Sequence, residues 1–280
     1  MPLKRAILII LIILFSAVFL FCAFQIGSYL WESMQSKQVY DELANMVEDA
    51  KPTNAPTLPP DPEKPTDPPT EPPSPYVEVT HPKTGQTVQV LREYAEVFSR
   101  NADLIGWLKI EGTAINYPVM QTPDNPNYYL QRDFYGNYSS HGCLYAKENC
   151  DVLAPSDNIT IYGHNMRDGS MLSGIFAYTN REFGLEHRYI TFDTITEHRT
   201  YEVFAVFGTT ASEGEGFAYH TFVDAASESE FYWFINNCGR LRYYDTGVEI
   251  SYGDSFITLS TCEYSQANGR LVLVAKLIEN

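Results

Sequence analysis

The sequence predicts a mainly β domain, an antiparallel barrel or sandwich decorated by helices, tethered to a membrane helix through a Pro-rich linker. Three observations predict it. Residues 6–24 (AILIILIILFSAVFLFCAF) run for 19 positions without a charge. At about 1.5 Å rise per residue they make a helix of roughly 29 Å, the thickness of a bilayer's hydrocarbon core. Residues 51–75 then hold 11 of the chain's 17 prolines among Thr, Asp and Glu. Proline removes amide donors, so this stretch favours extended polyproline II over a packed element. Beyond it, residues 76–280 carry short runs of Val, Ile, Phe, Tyr and Thr separated by turn residues. The run of alternating helices that a parallel sheet needs is missing from them.

Lys4 and Arg5 precede the apolar run and Glu32 is the first charge after it. The positive-inside rule therefore leaves a short tail in the cytoplasm and puts the rest outside. The run is longer than a signal-peptide core and no Ala-x-Ala-like cleavage site follows Phe24, so an uncleaved cell-membrane anchor is expected over residues 1–30. Residues 31–50 place Met34, Val39, Leu43, Met46 and Val47 at helical spacing, which predicts a short amphipathic stalk. The linker spans 51–75 and the folded domain 76–280. Within that domain, helices are expected at 90–104 and at 226–237 after Asp224. Strands are expected at 115–120, 159–162, 189–192, 201–207, 256–261 and 271–277.

With 280 residues, 44% of them hydrophobic, the chain can bury a sizeable core. Its formal net charge of −16, with no basic run, excludes a polyanion such as nucleic acid as partner. Five cysteines (Cys22, Cys143, Cys150, Cys238, Cys262) are an odd number spread over a long chain, which is not a disulfide framework. Pairing of Cys143 with Cys150 stays open. His141 beside Cys143 lacks the short paired spacing of a zinc site, so neither a metal nor another cofactor is expected.

Chemistry concentrates in two places. In FITLSTCEYSQANGRLVLVAKL, Cys262 ends one apolar strand and Arg270 opens the next, and a polar turn of seven residues can bring thiol and guanidinium to one rim. In NITIYGHNM, a strand ends at Gly163 and delivers His164 to a loop edge. A catalytic Cys and His are neighbours in space rather than in sequence, and of the six histidines His164 meets that requirement best. Without further information each residue also has an ordinary reading. Cys262 can be a small buried hydrophobe, Arg270 a solvated strand-end charge and His164 a structural loop residue.

The segments TLSTC at 258–262, Arg270 followed by LVLVAK, and YGHNM at 162–166 resemble the catalytic segments of sortases, specifically class B. NADLIGWLKIEGTAINYPVMQ at 101–121 is similar to the opening of class B catalytic domains, and the helix expected at 226–237 falls where that class carries an extra long helix. The resemblance covers roughly residues 90–280. It implies an eight-stranded sortase-type β-barrel and a cysteine transpeptidase that cleaves a C-terminal sorting signal of secreted proteins. It assigns Cys262, His164 and Arg270 to catalysis, and Leu130, Ser260 and Glu263 to substrate binding. Core packing for Leu130, strand-end hydrogen bonding for Ser260 and a solvated charge for Glu263 are the plainer alternatives. The turn from Cys262 to Arg270 is shorter than in some class B members, and Pro126 stands where others carry a polar pocket residue. The implied partners are a sorting-signal peptide and an amine acceptor, from a cell-wall precursor or a pilin, in a Gram-positive-type envelope. Attachment to wall is favoured, since no second apolar span follows and no aromatic Asp-Pro lid motif stands upstream. A simple cysteine endopeptidase and a tethered non-catalytic binding module are the competing readings.

Overall fold

The computed structural model describes residues 2–51, 74–212 and 214–279. Most of the Pro-rich linker therefore lies outside the described residues. Helix α1 (Pro2–Ala50) is continuous through the apolar run and the segment expected as a stalk. It is long and apolar enough to cross a membrane, with a mean hydropathy of 3.2 in its most apolar window. Its second half docks on the domain. Tyr40, Leu43 and Val47, at i, i+3 and i+7, are buried in the main core, and the Tyr40 ring meets Tyr117 edge to face at 5.3 Å.

The strand hairpin β1 (Tyr76–Thr80) and β2 (Thr87–Leu91) follows, pairing Val77 with Val90 and Val79 with Val88. Here the structure corrects the expected helix over 90–104. The VEV and VQV alternation favours strand pairing, and only α2 (Ala95–Arg100) remains helical after a 3-10 turn at Arg92–Tyr94. The Arg92 amide and guanidinium hold the carbonyls of Pro75 and Ser74. Tyr94 lines one cleft with Ala44, Val47 and Lys51 at the end of α1. Lys51 and Ser74, on either side of the undescribed linker residues, therefore both lie at this turn, and α1 runs unbroken from the apolar run to the domain.

Eight strands close the barrel: β3 (Leu104–Lys109), β4 (Asn116–Met120), β5 (Leu144–Ala146), β6 (Asn158–Tyr162), β7 (Tyr189–Thr194), β8 (Thr200–Thr210), β9 (Phe256–Cys262) and β10 (Gly269–Glu279). Their order is β10-β8-β7-β3-β4-β5-β6-β9, and β4–β5 and β6–β9 are the parallel pairs. All six expected strands occur, their ends displaced by no more than three residues. A 3-10 stretch (Leu172–Thr179) and the short helix α3 (Arg181–Glu186) connect β6 to β7. Strand β3 begins inside the expected helix, and β5 has only three residues, too few to show a period.

Alternation along β9 and β10 separates two cores. Ile257, Leu259, Leu271 and Leu273 fill the barrel, whereas Phe256, Val272 and Val274 face outward under α4 (Glu228–Leu241). The start of α4 is set by Ser227, whose hydroxyl accepts from the Glu230 amide at 3.3 Å while the Glu230 carboxylate accepts from the Ala226 amide. Asp224, the expected start signal, accepts instead from Ser156 and the Asp157 amide before β6. Phe234 of α4 is fully buried and stacks on Phe222 at 4.3 Å. Phe234→Ala is expected to destabilise the domain by about 3–5 kcal/mol, measured by urea unfolding.

The thiols of Cys143 and Cys150 face different carbonyls, those of Pro118 and Asn158. Burial pushes the Cys143 thiol up to about 12 and also raises Cys150.

Candidate active site

The alternation that points Phe256 outward puts Ser260 and Cys262 on the same outer face. In β10, Arg270 shares that face with Val272 and is the direct register partner of Cys262. Opposed residues in such a ladder have Cβ atoms about 4.5–5.5 Å apart, so the thiol and guanidinium carriers are immediate neighbours. On the other side of β9 runs β6, where Tyr162 is the partner of Ser260. Gly163 extends that pairing, its amide donating to the Ser260 carbonyl, and His164 follows at the same rim as Cys262. All three candidate catalytic residues therefore sit at one end of the barrel, each partly exposed.

Short bonds fix the rim. Thr261 donates its hydroxyl to the Gly163 carbonyl at 2.7 Å, and the Asn165 amide donates to the Cys262 carbonyl at 3.0 Å. His164 Nε2 lies 2.7 Å from the Leu130 carbonyl. A carbonyl only accepts, so Nε2 is the donor in this contact and Nδ1 is left for another partner. Arg270 Nη1 donates to the carbonyls of Asn268 and Gly269, at 3.3 and 2.9 Å. Its Nε and Nη2 make no bond to the protein among the described residues, which leaves two nitrogens of a planar fork, with three N–H groups, for a ligand.

The three other candidates divide. Ser260 is buried and its hydroxyl lies 2.6 Å from the Tyr219 hydroxyl, so it braces the floor of the site. Glu263 folds into its own turn, accepting from the amide and hydroxyl of Ser265. Leu130 is 37% exposed rather than packed in the core, and the atom that reaches the site is its carbonyl oxygen.

Sequence reasoning missed Tyr145, Tyr162, Tyr219 and Asn165. Burial, and then the Cys262 sulfur, raise Tyr145 to about 12, although Arg270 pulls it down. Burial likewise raises Tyr219. These phenols stay neutral, and Tyr219 supports the floor of the site through its contact with Ser260. The Tyr162 position was visible in the YGHNM segment. Tyr219 was not, because it meets Ser260 across 41 residues of chain. Among the described residues no group of His, Cys, Asp and Glu could hold a metal.

Such a rim can carry nucleophilic acyl transfer: a thiol, an imidazole with one exchangeable proton, and a fixed cation. Residues 108–278 match the family model described as the sortase domain. The chain is 27% identical to sortase B of Listeria monocytogenes over 264 residues, 93% of this chain and 92% of that protein. It is 29% identical to sortase B of Staphylococcus aureus over 181 residues, 64% of this chain and 72% of the other. The crystal structure of sortase B from Bacillus anthracis in complex with AAEK1 superposes with a TM-score of 0.68 at 27% identity, covering 90% of this chain and all of that one. With a closed eight-stranded barrel of the same shape and a family match over most of the folded domain, the chain belongs to the sortase family, and the relatives it resembles are of class B.

Proposed function

We propose that the protein is a membrane-anchored cysteine transpeptidase that cleaves a C-terminal sorting signal and joins the new carboxyl end to an amine of the cell wall. The observation that carries this reading is the direct cross-strand pairing of Cys262 with Arg270, on the rim that also presents His164. The thiolate of Cys262 attacks the scissile carbonyl and forms a thioacyl intermediate. His164 protonates the departing amine from Nδ1 and later accepts a proton from the incoming amine, which restores both groups. The two unbonded nitrogens of Arg270 stabilise the oxyanion and bind substrate carbonyls. Helix α1 keeps the domain at the outer face of the cell membrane, with the chain's N-terminus in the cytoplasm. A wall precursor is preferred over a pilin lysine as amine donor.

Full-length protein in detergent, incubated with a library of sorting-signal peptides with and without an amine, tests the reading by mass spectrometry. Amine-joined products are expected. Hydrolysed products alone, even with amine in excess, would make it a cysteine endopeptidase. No cleavage of any peptide would leave a tethered binding module.

A further inference from the structure

Resting on the catalytic role given to His164, we propose that Asp168 is a positioning residue for that imidazole, holding its loop in register with the membrane-proximal turn of α1 through Ser33. Residues 164–172 form a closed loop. The Leu172 amide donates to the His164 carbonyl at 3.0 Å and Asn165 bridges to Met171, so His164 sits at the base and Asp168 at the tip. The base is under strain, since buried Met171 adopts φ 54°, a left-handed angle that a long side chain rarely takes. Burial in the main core holds that residue, and the loop's tip has a tie of its own.

Asp168 makes that connection. Its Oδ2 accepts from the Ser33 hydroxyl and lies 2.9 Å from Nε2 of His141, while its Oδ1 accepts from the amide and hydroxyl of Ser170. Partial burial alone would raise this carboxyl, but the hydrogen bonds from Ser170, Ser33 and His141 outweigh it and hold the group well below the usual carboxylate range. The carboxylate is thus ionised at neutral pH, and its bonds are of the strong charge-assisted kind. His141 is 1% exposed, so Asp168 at the loop tip bonds to a side chain buried in the domain.

A second contact of α1 lies beside the acceptor of the imidazole. Tyr40 donates its hydroxyl to the Gly142 carbonyl. A Cβ on Gly142 would lie 2.5 Å from the Leu130 carbonyl oxygen that accepts from His164, and Gly142 has φ 60°. The helix that leaves the apolar run therefore braces both the loop carrying His164 and the carbonyl that orients its ring. Nothing in the pairing of Cys262 with Arg270 needs this brace.

The test uses full-length protein in detergent, with peptide turnover and 15N-histidine NMR as separate readouts. Asp168→Ala is expected to lower kcat about 10-fold or more, with KM changed less than about two-fold, since small misplacements of a reacting group cost rate rather than binding. The His164 Nε2 resonance is expected to move toward that of free imidazole at temperatures well below unfolding, a change that simple loss of stability would not produce. Ser33→Ala is expected to lower kcat about three- to ten-fold, the equivalent of one hydrogen bond, and Ser33→Thr to restore it. Unchanged kcat or an unmoved resonance in folded Asp168→Ala overturns the proposal. Should the unsubstituted protein cleave no peptide while Asp168→Ala still moves the resonance, the positioning stands and the catalytic reading falls.

Discussion

Cys262→Ala is expected to reduce peptide cleavage by about 10⁴-fold or more while leaving the melting temperature within a few degrees. Removing a covalent nucleophile deletes the step on which every later one depends, and the surrounding groups retain only modest rate enhancement. The side chain is partly exposed, so the fold loses little packing. Cys238→Ala is the matched control. Its thiol lies under α4, where burial pushes its pKa well up, and no bond links it to the rim. Peptide turnover in Cys238→Ala should match the unsubstituted protein once unfolding is accounted for. The same contrast governs labelling, because Cys143, Cys150 and Cys238 are buried and held protonated. A thiol reagent should modify Cys262 in the folded domain before any of them. Normal cleavage by Cys262→Ala would remove the mechanism.

Strand periodicity and the two polar strand ends made most of the barrel readable from sequence. Runs such as FITLSTC and LVLVAKL are long enough to show their alternation, and the seven-residue turn between them forces Cys262 and Arg270 together. The hairpin Tyr76–Leu91 was lost because VQV and the following REYAEVF overlap a helical spacing, and only the distant partner VEV decides between them. The amphipathic face of residues 31–50 was also visible, yet its partner was not. Leu43 and Val47 join a core built from residues far along the chain, and helical spacing says nothing about what covers the face. The support of His164 was the least accessible feature. Its acceptor is a backbone carbonyl, and any residue at position 130 supplies one. Leu130 could be singled out only through its side chain, whereas the contact that matters depends on where the 128–131 turn sits.

The charge-preserving change Arg270→Lys is expected to lower turnover about 10²-fold, because the loss of one oxyanion donor typically costs roughly 2.7–4 kcal/mol. In the folded enzyme one nitrogen of the guanidinium is occupied by the carbonyls of Asn268 and Gly269, which pins the plane of the group. The other two nitrogens keep their protons for substrate. Lysine has the charge but a single nitrogen on a flexible stem, so it cannot hold the turn carbonyls and a substrate oxygen in the same fixed geometry. A solvated strand-end cation would behave differently: Lys would replace it with little effect on rate, and such a charge contributes at most about 1 kcal/mol to stability. Thermal unfolding should therefore change little on either account, and the rate of peptide joining separates them. Were Arg270→Lys to cleave and join peptide at nearly the unsubstituted rate, Arg270 would be only a strand-end charge. The oxyanion would then have to be held by backbone amides beside Cys262.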